Sequence, residues 1–288
     1  MIDLQTHSIY SDGSLSPTEL VVKAREVGLK AIALTDHDTV EGIAEFLAAG
    51  EKHHQVVVPG VELSAESSLP PNGHLHILGL FIDHQSQELQ QSLAFLRRHR
   101  QERALNMIDK LNRIGFYITP EELQAVVGAG VAARPHIARI MLDKGYVKSM
   151  HQAFIDYLSK GAPGFVEKVK YSDQEVIRLI NNNGGLSIAA HPHLMNYDTF
   201  EELAKKILEL QEMGLDGVEV YYPGYSRNFI LKLKKMAEES GLLLSGGSDF
   251  HGTFKDNIEL GTGRGDLNVP NEVYDALKSA VSEPSNIH

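Results

Sequence analysis

The chain has 288 residues, with 27 Lys and Arg against 38 Asp and Glu, a formal charge of −11. That balance argues against tight, non-specific binding to duplex nucleic acid, whose phosphates would be repelled, while leaving room for a small anion at a local positive site. The absence of cysteine excludes disulfides, thiolate metal sites and cysteine nucleophiles.

Hydrophobic residues make up 42% and charged residues 23%, a globular balance, and the length suits one large α/β domain or two modest ones. The 14 histidines are a surplus that points to N/O metal ligation or to acid–base chemistry. The opening MIDLQTHSIYSDG lacks the basic and apolar regions of a signal peptide, and no apolar run reaches the roughly 18 residues of a membrane span. The expectation is a soluble, cytoplasmic protein with no membrane contact.

In chain order, the first strand candidate is Ile2–Leu4. A helix follows, opened by Ser16-Pro17-Thr18-Glu19, which combines a Ser N-cap, Pro at the first helical position and Glu at N3. The next strand, Ala31–Thr35, leads into Asp38-Thr39-Val40-Glu41, which repeats the capping pattern ahead of Ile43, Phe46 and Leu47. His53 and His54 suit the negative end of that helix. Val56–Leu63 and His74–Ile82 are the third and fourth strands. From Gln85 to Lys170 the pattern is almost wholly helical, with a further cap at Thr119-Pro120-Glu121-Glu122. Strands return at Leu186–Ala190, Gly217–Tyr222 and Leu242–Ser245. Gly28, Gly184-Gly185, Gly214 and Gly241 stand where helices would stop. The final SEPSNIH reads as a frayed tail.

This alternation predicts an α/β fold with a parallel sheet, and seven strands favour barrel-like closure over an open sheet. Residues 85–170 are expected to be a helical insertion between the fourth and fifth strands of a domain formed by 1–84 and 171–288. The insertion is locally basic: Arg134 to Lys170 holds seven Lys and Arg against three Asp and Glu.

The chemistry-bearing residues recur at strand ends. His7 and Asp12 follow the first strand, and Asp36, His37 and Asp38 the second. Glu62 closes VVVPGV, and His74 and His76 lie on the fourth strand. His191 and His193 follow LSIAA, Glu219 lies on GVEVYY, and Asp249 and His251 follow LLLSGG. A single histidine in such a place is more often a hydrogen-bonded surface residue than a ligand, and His84, His99, His151 and His288 are read that way. Recurrence at nearly every strand end is different, because the carboxyl ends of parallel α/β barrels carry the active site. So many imidazoles and carboxylates brought together would repel without divalent cations between them. His74 and His76 share a face, so one can ligate while the other supports. One of Asp36 and Asp38 is expected to orient His37 and the other to cap a helix.

An all-N/O ligand set suits Mn, Zn, Fe(II) or Co, and several ions at a barrel mouth point to hydrolysis by a bridging water. Phosphoester, amide and lactone hydrolases all fit that far. The basic insertion favours a phosphate, with Arg134, His136, Lys160, Lys168 and Lys170 as candidate clamps.

The segments IDLQTHSIYSDG (2–13), ALTDHDTVEG (33–42), PGVEL (59–63), HLHILG (74–79), IAAHPH (188–193) and GGSDFHG (246–252) together resemble the polymerase and histidinol phosphatase (PHP) superfamily, in family order over almost the whole chain. ARPHIAR (133–139) and KGAPGFVEK (160–168) look like the insertion of its stand-alone bacterial phosphoesterases, which act on nucleoside 3′,5′-bisphosphates, 5′-nucleotides and short RNA ends. The resemblance implies a distorted seven-stranded, TIM-like (β/α) barrel with a helical insertion, holding two or three divalent ions (Mn, Zn or Fe). It implies His7, Glu62 and Asp249 at one ion. Glu62 would bridge to a second, with His76 and His191, and Asp12, His37 and His251 would hold a third. Arg134 and Lys168, assisted by His136, would grip the substrate phosphate, and His193 would support the ligands. His37, Glu62, His191, Asp249 and His251 are the expected catalytic residues, with a metal-bridged hydroxide attacking phosphorus and His191, His251 or a water protonating the leaving group. Gln5 departs from the pattern: the family opening reads Asp-Leu-His-x-His, and a Gln carbonyl is a poorer donor to a zinc-like ion than imidazole. The expected activity is a metal-dependent phosphatase acting on a small phosphorylated substrate, a nucleotide. The alternatives are histidinol phosphate hydrolysis and a non-catalytic metal-binding module.

Overall fold

The computed structural model describes residues 1–128 and 130–282; the expected tail from 283 onward, with His288, lies outside them. Among the described residues seven strands form one sheet: β1 (Ala31–Leu34), β2 (Val56–Glu66), β3 (Leu75–Leu80), β4 (Tyr171–Ser172), β5 (Leu186–Ala189), β6 (Gly217–Tyr221) and β7 (Leu243–Gly246). The order is β1-β2-β3-β5-β6-β7, with β4 beside the end of β2. The α-helices are α1 (Pro17–Glu26), α2 (Ile43–His53), α3 (Gln87–Arg113), α4 (Pro120–Val127), α5 (Arg134–Asp143), α6 (Met150–Ala153), α7 (Asp173–Asn182), α8 (Phe200–Glu212), α9 (Arg227–Ser240) and α10 (Asn271–Ser282).

The sheet curls into a distorted barrel. Its edge strands β1 and β7 both bond to the N-terminal segment, which is held by isolated bridges and is not a full strand. Asp3 N–H donates to Ala31 O at 3.0 Å, Ala33 N–H to Asp3 O at 2.8 Å, and Leu4 N–H to Gly246 O at 3.1 Å. Strand residues sort by parity, as pleating requires. Ala31, Ala33, Leu78, Leu80, Leu186 and Ile188 join Ile2 and Leu4 in one apolar cluster. Their neighbours Ile32, Leu34, Ile77 and Ala189 pack in the other, with the helices.

The all-parallel expectation fails at β3. The pairs β1–β2, β5–β6 and β6–β7 are parallel, but β3 runs antiparallel to both β2 and β5. The link over 67–74 is too short for a parallel crossover, which needs a dozen residues or more. The short β4 carries no apolar run and was not anticipated.

The capping boxes at Ser16 and Thr119 form as expected, with Pro at the first turn of each helix. The box expected at Asp38 does not. α2 starts from Gly42, without a side-chain cap, and Asp38 is drawn elsewhere. His53 and His54 do close α2. Between β3 and β4, α3–α6 and the π-helical turn Phe154–Leu158 pack around an apolar cluster of their own, including Met107, Leu111, Ile118, Ile137, Met141 and Leu158. No helix among the described residues is long and apolar enough to cross a membrane.

Candidate active site

Each ligand-type side chain is placed by a local device. The loop carrying Asp12 is held by Asp36, whose carboxylate accepts from Ser8 N–H (2.7 Å), Ser8 Oγ (2.6 Å) and Ser11 Oγ (2.5 Å). Gly13 closes that loop because a Cβ there would lie 2.1 Å from His7 O. The loop carrying Asp249 and His251 is held by buried Asp3, which accepts from Ser248 N–H at 2.9 Å and Gly261 N–H at 2.8 Å. Burial raises the Asp3 pKa to about 6. Neither Asp36 nor Asp38 hydrogen-bonds to His37, so the expected orienting partner is absent from that pair; Asp36 serves the Asp12 loop instead. Asp38, His191 and Asp249 adopt positive φ (55°, 28° and 54°), a costly conformation for non-glycine residues that tends to mark functional loops.

Glu62, in the middle of β2 and fully buried, is the hub. Its Oε1 lies 2.6 Å from His76 Nδ1 and 3.0 Å from His191 Nε2. Its Oε2 lies 3.1 Å from His7 Nε2 and 3.6 Å from His37 Nδ1. His7 Nε2 is also 3.4 Å from Asp249 Oδ1, and Asp12 is 3.4 Å from His251 Nε2 and 3.9 Å from His37 Nε2. His76 reaches the same rim from the amino end of β3 because that strand is reversed. His251 Nδ1 donates to Asp249 O at 2.8 Å, which orients the ring and leaves Nε2 as the nitrogen that faces Asp12.

The Gln5 amide lies between Glu62 and Glu219. In one orientation Nε2 stands 3.4 Å from Glu62 Oε2; in the other it donates to both Glu219 oxygens, at 2.8 and 3.1 Å, and presents Oε1 to the cluster. Glu219 also accepts the His191 N–H at 2.6 Å, and burial pushes its pKa well above the usual carboxylate range.

The electrostatics follow from crowding. Burial opposes charge on His7, but the facing carboxylates of Asp249 and Glu62 prevail and raise its pKa well above the ordinary value. Burial likewise opposes charge on Asp249 and Glu62. Lys255 outweighs it at the first, and the hydrogen bonds from His76 and His191 outweigh it at the second, so both sit well below the usual range. His37 is driven down to about 3, chiefly by burial.

The donor set fits divalent ions. Both His7 ring nitrogens, His37 Nδ1, His191 Nδ1 and Asp12 Oδ1 are buried without a hydrogen-bond partner. Donor atoms about 2.0–2.2 Å from one ion lie roughly 3–3.5 Å apart, close to the separations above. Three overlapping groups bring one donor per residue within 4.8 Å of one another: His7, Asp12, His37 and His251; His37, Glu62 and His76; and His7, Glu62 and Asp249.

Beside this cluster, bordered by Asp12, His37 and His76, is a cleft of about 190 Å³ lined by Arg100, Arg103, Arg134, Lys168 and Lys170. The Arg134 guanidinium lies over Phe154, 5.6 Å from the ring centroid. Lys168 Nζ bonds Asp38 at 2.7 Å and Ser64 Oγ at 2.7 Å, and its pKa is lowered to about 7, foremost by burial and then by Arg100. His136 does not line the cleft; its Nδ1 accepts Ala133 N–H at 3.1 Å at the start of α5, leaving Nε2–H as a donor. Lys160 is exposed and outside the cleft, a correction to its expected clamping role. His193 is exposed and bonds Tyr225 Oη at 3.0 Å.

Sequence reasoning missed Arg100, Arg103, Tyr222 and Lys255. Tyr222 donates to Asp249 Oδ2 at 2.8 Å, and Lys255 bonds the same oxygen. Arg100 did carry a signal: it occupies a turn of the buried stripe Leu89, Leu93, Leu96, Arg100, Ala104, where a charge must have a partner.

The chain is 34% identical over 262 residues to a 3′,5′-nucleoside bisphosphate phosphatase of Chromobacterium violaceum, covering 90% of each. It is 35% identical over 250 residues to a 5′-3′ exoribonuclease of Haemophilus influenzae, covering 86% of this chain and 89% of the relative. A Bifidobacterium adolescentis structure assigned to the metal-dependent phosphoesterases superposes with a TM-score of 0.85 at 28% identity, over 96% of this chain and 95% of the other. The PHP domain profile matches residues 3–220. The chain belongs to the PHP domain family, as a metal-dependent phosphoric ester hydrolase.

Proposed function

We propose that this phosphoesterase cleaves a phosphomonoester of a nucleotide: a nucleoside 3′,5′-bisphosphate, a 5′-nucleotide or the end of a short RNA. The observation that carries the reading is a Glu62-centred cluster of facing imidazoles and carboxylates that opens directly onto a cleft of cations. A phosphoryl group needs both: ligands for divalent ions at the reacting phosphorus and fixed positive charge around the anion. The names of the relatives support a nucleotide.

Two or three ions (Mn, Zn or Fe) are part of this reading. His7, Glu62 and Asp249 would hold one, with Gln5 adding its carbonyl in the orientation that gives its N–H to Glu219. Glu62 would bridge to a second with His76 and His191. Asp12, His37 and His251 would hold the third. When bound, such ions lower the pKa of a water and neutralise charge on the phosphoryl oxygens. The chain supplies the rest. Arg134 and Lys168 orient the phosphate, and His136, outside the cleft, assists by holding the start of α5 through Ala133 N–H. With His191 and His251 committed as ligands, and the His251 Nδ1–H already given to Asp249 O, a water is left as the proton donor to the leaving oxygen. The division into a barrel of 1–84 and 171–288 and an insertion of 85–170 belongs to the same reading, since Arg134 and Lys168 come from the insertion. No stable duplex binding is proposed, and the compartment is the cytoplasm, where nucleotides are made and turned over.

Turnover of adenosine 3′,5′-bisphosphate, a 5′-phosphorylated oligoribonucleotide and histidinol phosphate, with Mn, Zn and Fe(II) supplied in turn, tests it. Preference for a nucleotide is expected. Preference for histidinol phosphate overturns the substrate class, and no hydrolysis of any of the three overturns the nucleotide reading.

A further inference from the structure

Asp38 and His37 are neighbours whose side chains serve opposite halves of the site. His37 turns to Glu62 and Asp12, while the buried Asp38 turns to the cleft, where its Oδ2 meets both the Arg100 guanidinium from α3 and Lys168 Nζ at 2.7 Å. The split comes with the positive φ of Asp38, 55°.

Arg100 and Lys168 would otherwise repel one another in a buried setting, at a cost that falls when a carboxylate stands between them. Only 9% of Arg100 is exposed, so solvent does little of that screening. The second anchor of Lys168, Ser64 Oγ at 2.7 Å, is uncharged and cannot replace the carboxylate. The same loop is tied to α3 once more, where Arg97 bonds Thr39 and Glu41.

We infer that Asp38 is a positioning residue for phosphate recognition: it holds Lys168, charged and aimed, in the cleft beside the metal-ligand cluster, and so sets substrate affinity without touching substrate. The inference rests on the proposed role of Lys168 in gripping phosphate. Loss of the carboxylate frees Lys168 to shed its proton under the field of Arg100 and Arg103, which already act to lower its pKa.

The test is binding of inorganic phosphate to the metal-loaded full chain, by calorimetry, in a double-mutant cycle of Asp38→Asn and Lys168→Met. Asn tolerates positive φ better than other non-glycine residues, so the backbone is preserved. Asp38→Asn and Lys168→Met are each expected to weaken phosphate binding by about tenfold or more, for a charge-assisted contact, and the double variant no more than Lys168→Met alone. KM should rise while kcat and metal affinity stay near the parent's. Multiplying losses, or wild-type binding by Asp38→Asn beside weakened Lys168→Met, overturns this inference alone. Wild-type binding by Lys168→Met overturns the assignment of Lys168 and this inference with it. Should Asp38→Asn fail to fold, Asp38→Gly, which the positive φ admits, takes its place in the same cycle with the same outcomes.

Discussion

The ligand cluster and the cationic cleft share a border at Asp12, His37 and His76, yet they are built in opposite ways. The cluster is assembled from barrel strands and the loops that leave them, fixed by backbone register and by buried acids such as Asp3 and Asp36. The cleft is assembled from side chains on long helices and a return segment, tied down by Arg103 to Val166 O at 2.7 Å and by Asp38. One half concentrates lone pairs, the other concentrates positive charge. The contrast teaches that chemistry and recognition are separable here: damage to the first should abolish turnover, and damage to the second should cost affinity.

The largest effect belongs to the cluster. Asp12→Asn or His37→Ala is expected to lower kcat by on the order of 10³ or more while the circular dichroism spectrum is kept, because each removes a donor from the most crowded group. Full activity in either variant breaks the division of labour. Chelation reads the same half without catalysis. Ions held at 100 times their Kd stabilise by about 2.7 kcal/mol, so EDTA should lower Tm by roughly 5–10 °C, and Mn or Zn should restore it.

The two halves were not equally legible. His7, His37, His191 and Asp249 could be read because each follows an apolar run, and a strand end is a place that sequence specifies; Glu62 also follows such a run, VVVPGV, but β2 continues past it to Glu66. The direction of β3 could not, since alternation of faces is the same whichever way a strand runs; only the short 67–74 link carried that information. Asp38 was misread because Asp-x-x-Glu is a local pattern, and the competing bond from Arg100, 62 positions away, is not local. Arg134 was found through ARPH, whereas Arg100 and Arg103 passed as ordinary polar residues of a long helix.

The cleft gives intermediate effects. Lys168→Met or Arg134→Met should raise KM by about 10- to 100-fold, the range for one charge-assisted contact, with kcat changed far less. A fall in kcat with KM unchanged would show that these cations act on the transition state and blur the comparison. The pH dependence sharpens it. Because the Lys168 pKa is lowered to about 7, its charge is present below that value and lost above it. KM should therefore climb as pH rises from 6 to 9, and the climb should vanish in Lys168→Met.

The smallest effect is expected at the one position where the cluster departs from its family pattern. Gln5 offers an amide oxygen only when its N–H is given to Glu219; turned the other way it donates to Glu62 and leaves any ion there with His7, Glu62 and Asp249. Neither arrangement equals an imidazole nitrogen for a zinc-like ion. Gln5→His should therefore raise affinity at that position by roughly tenfold, more for Zn than for Mn, with little change in KM, since the cleft is untouched. Metal titration of the variant against the parent decides it. Equal affinity and equal ion content in both would mean that His7, Glu62 and Asp249 suffice on their own, and that the amide serves only to join Glu62 to Glu219.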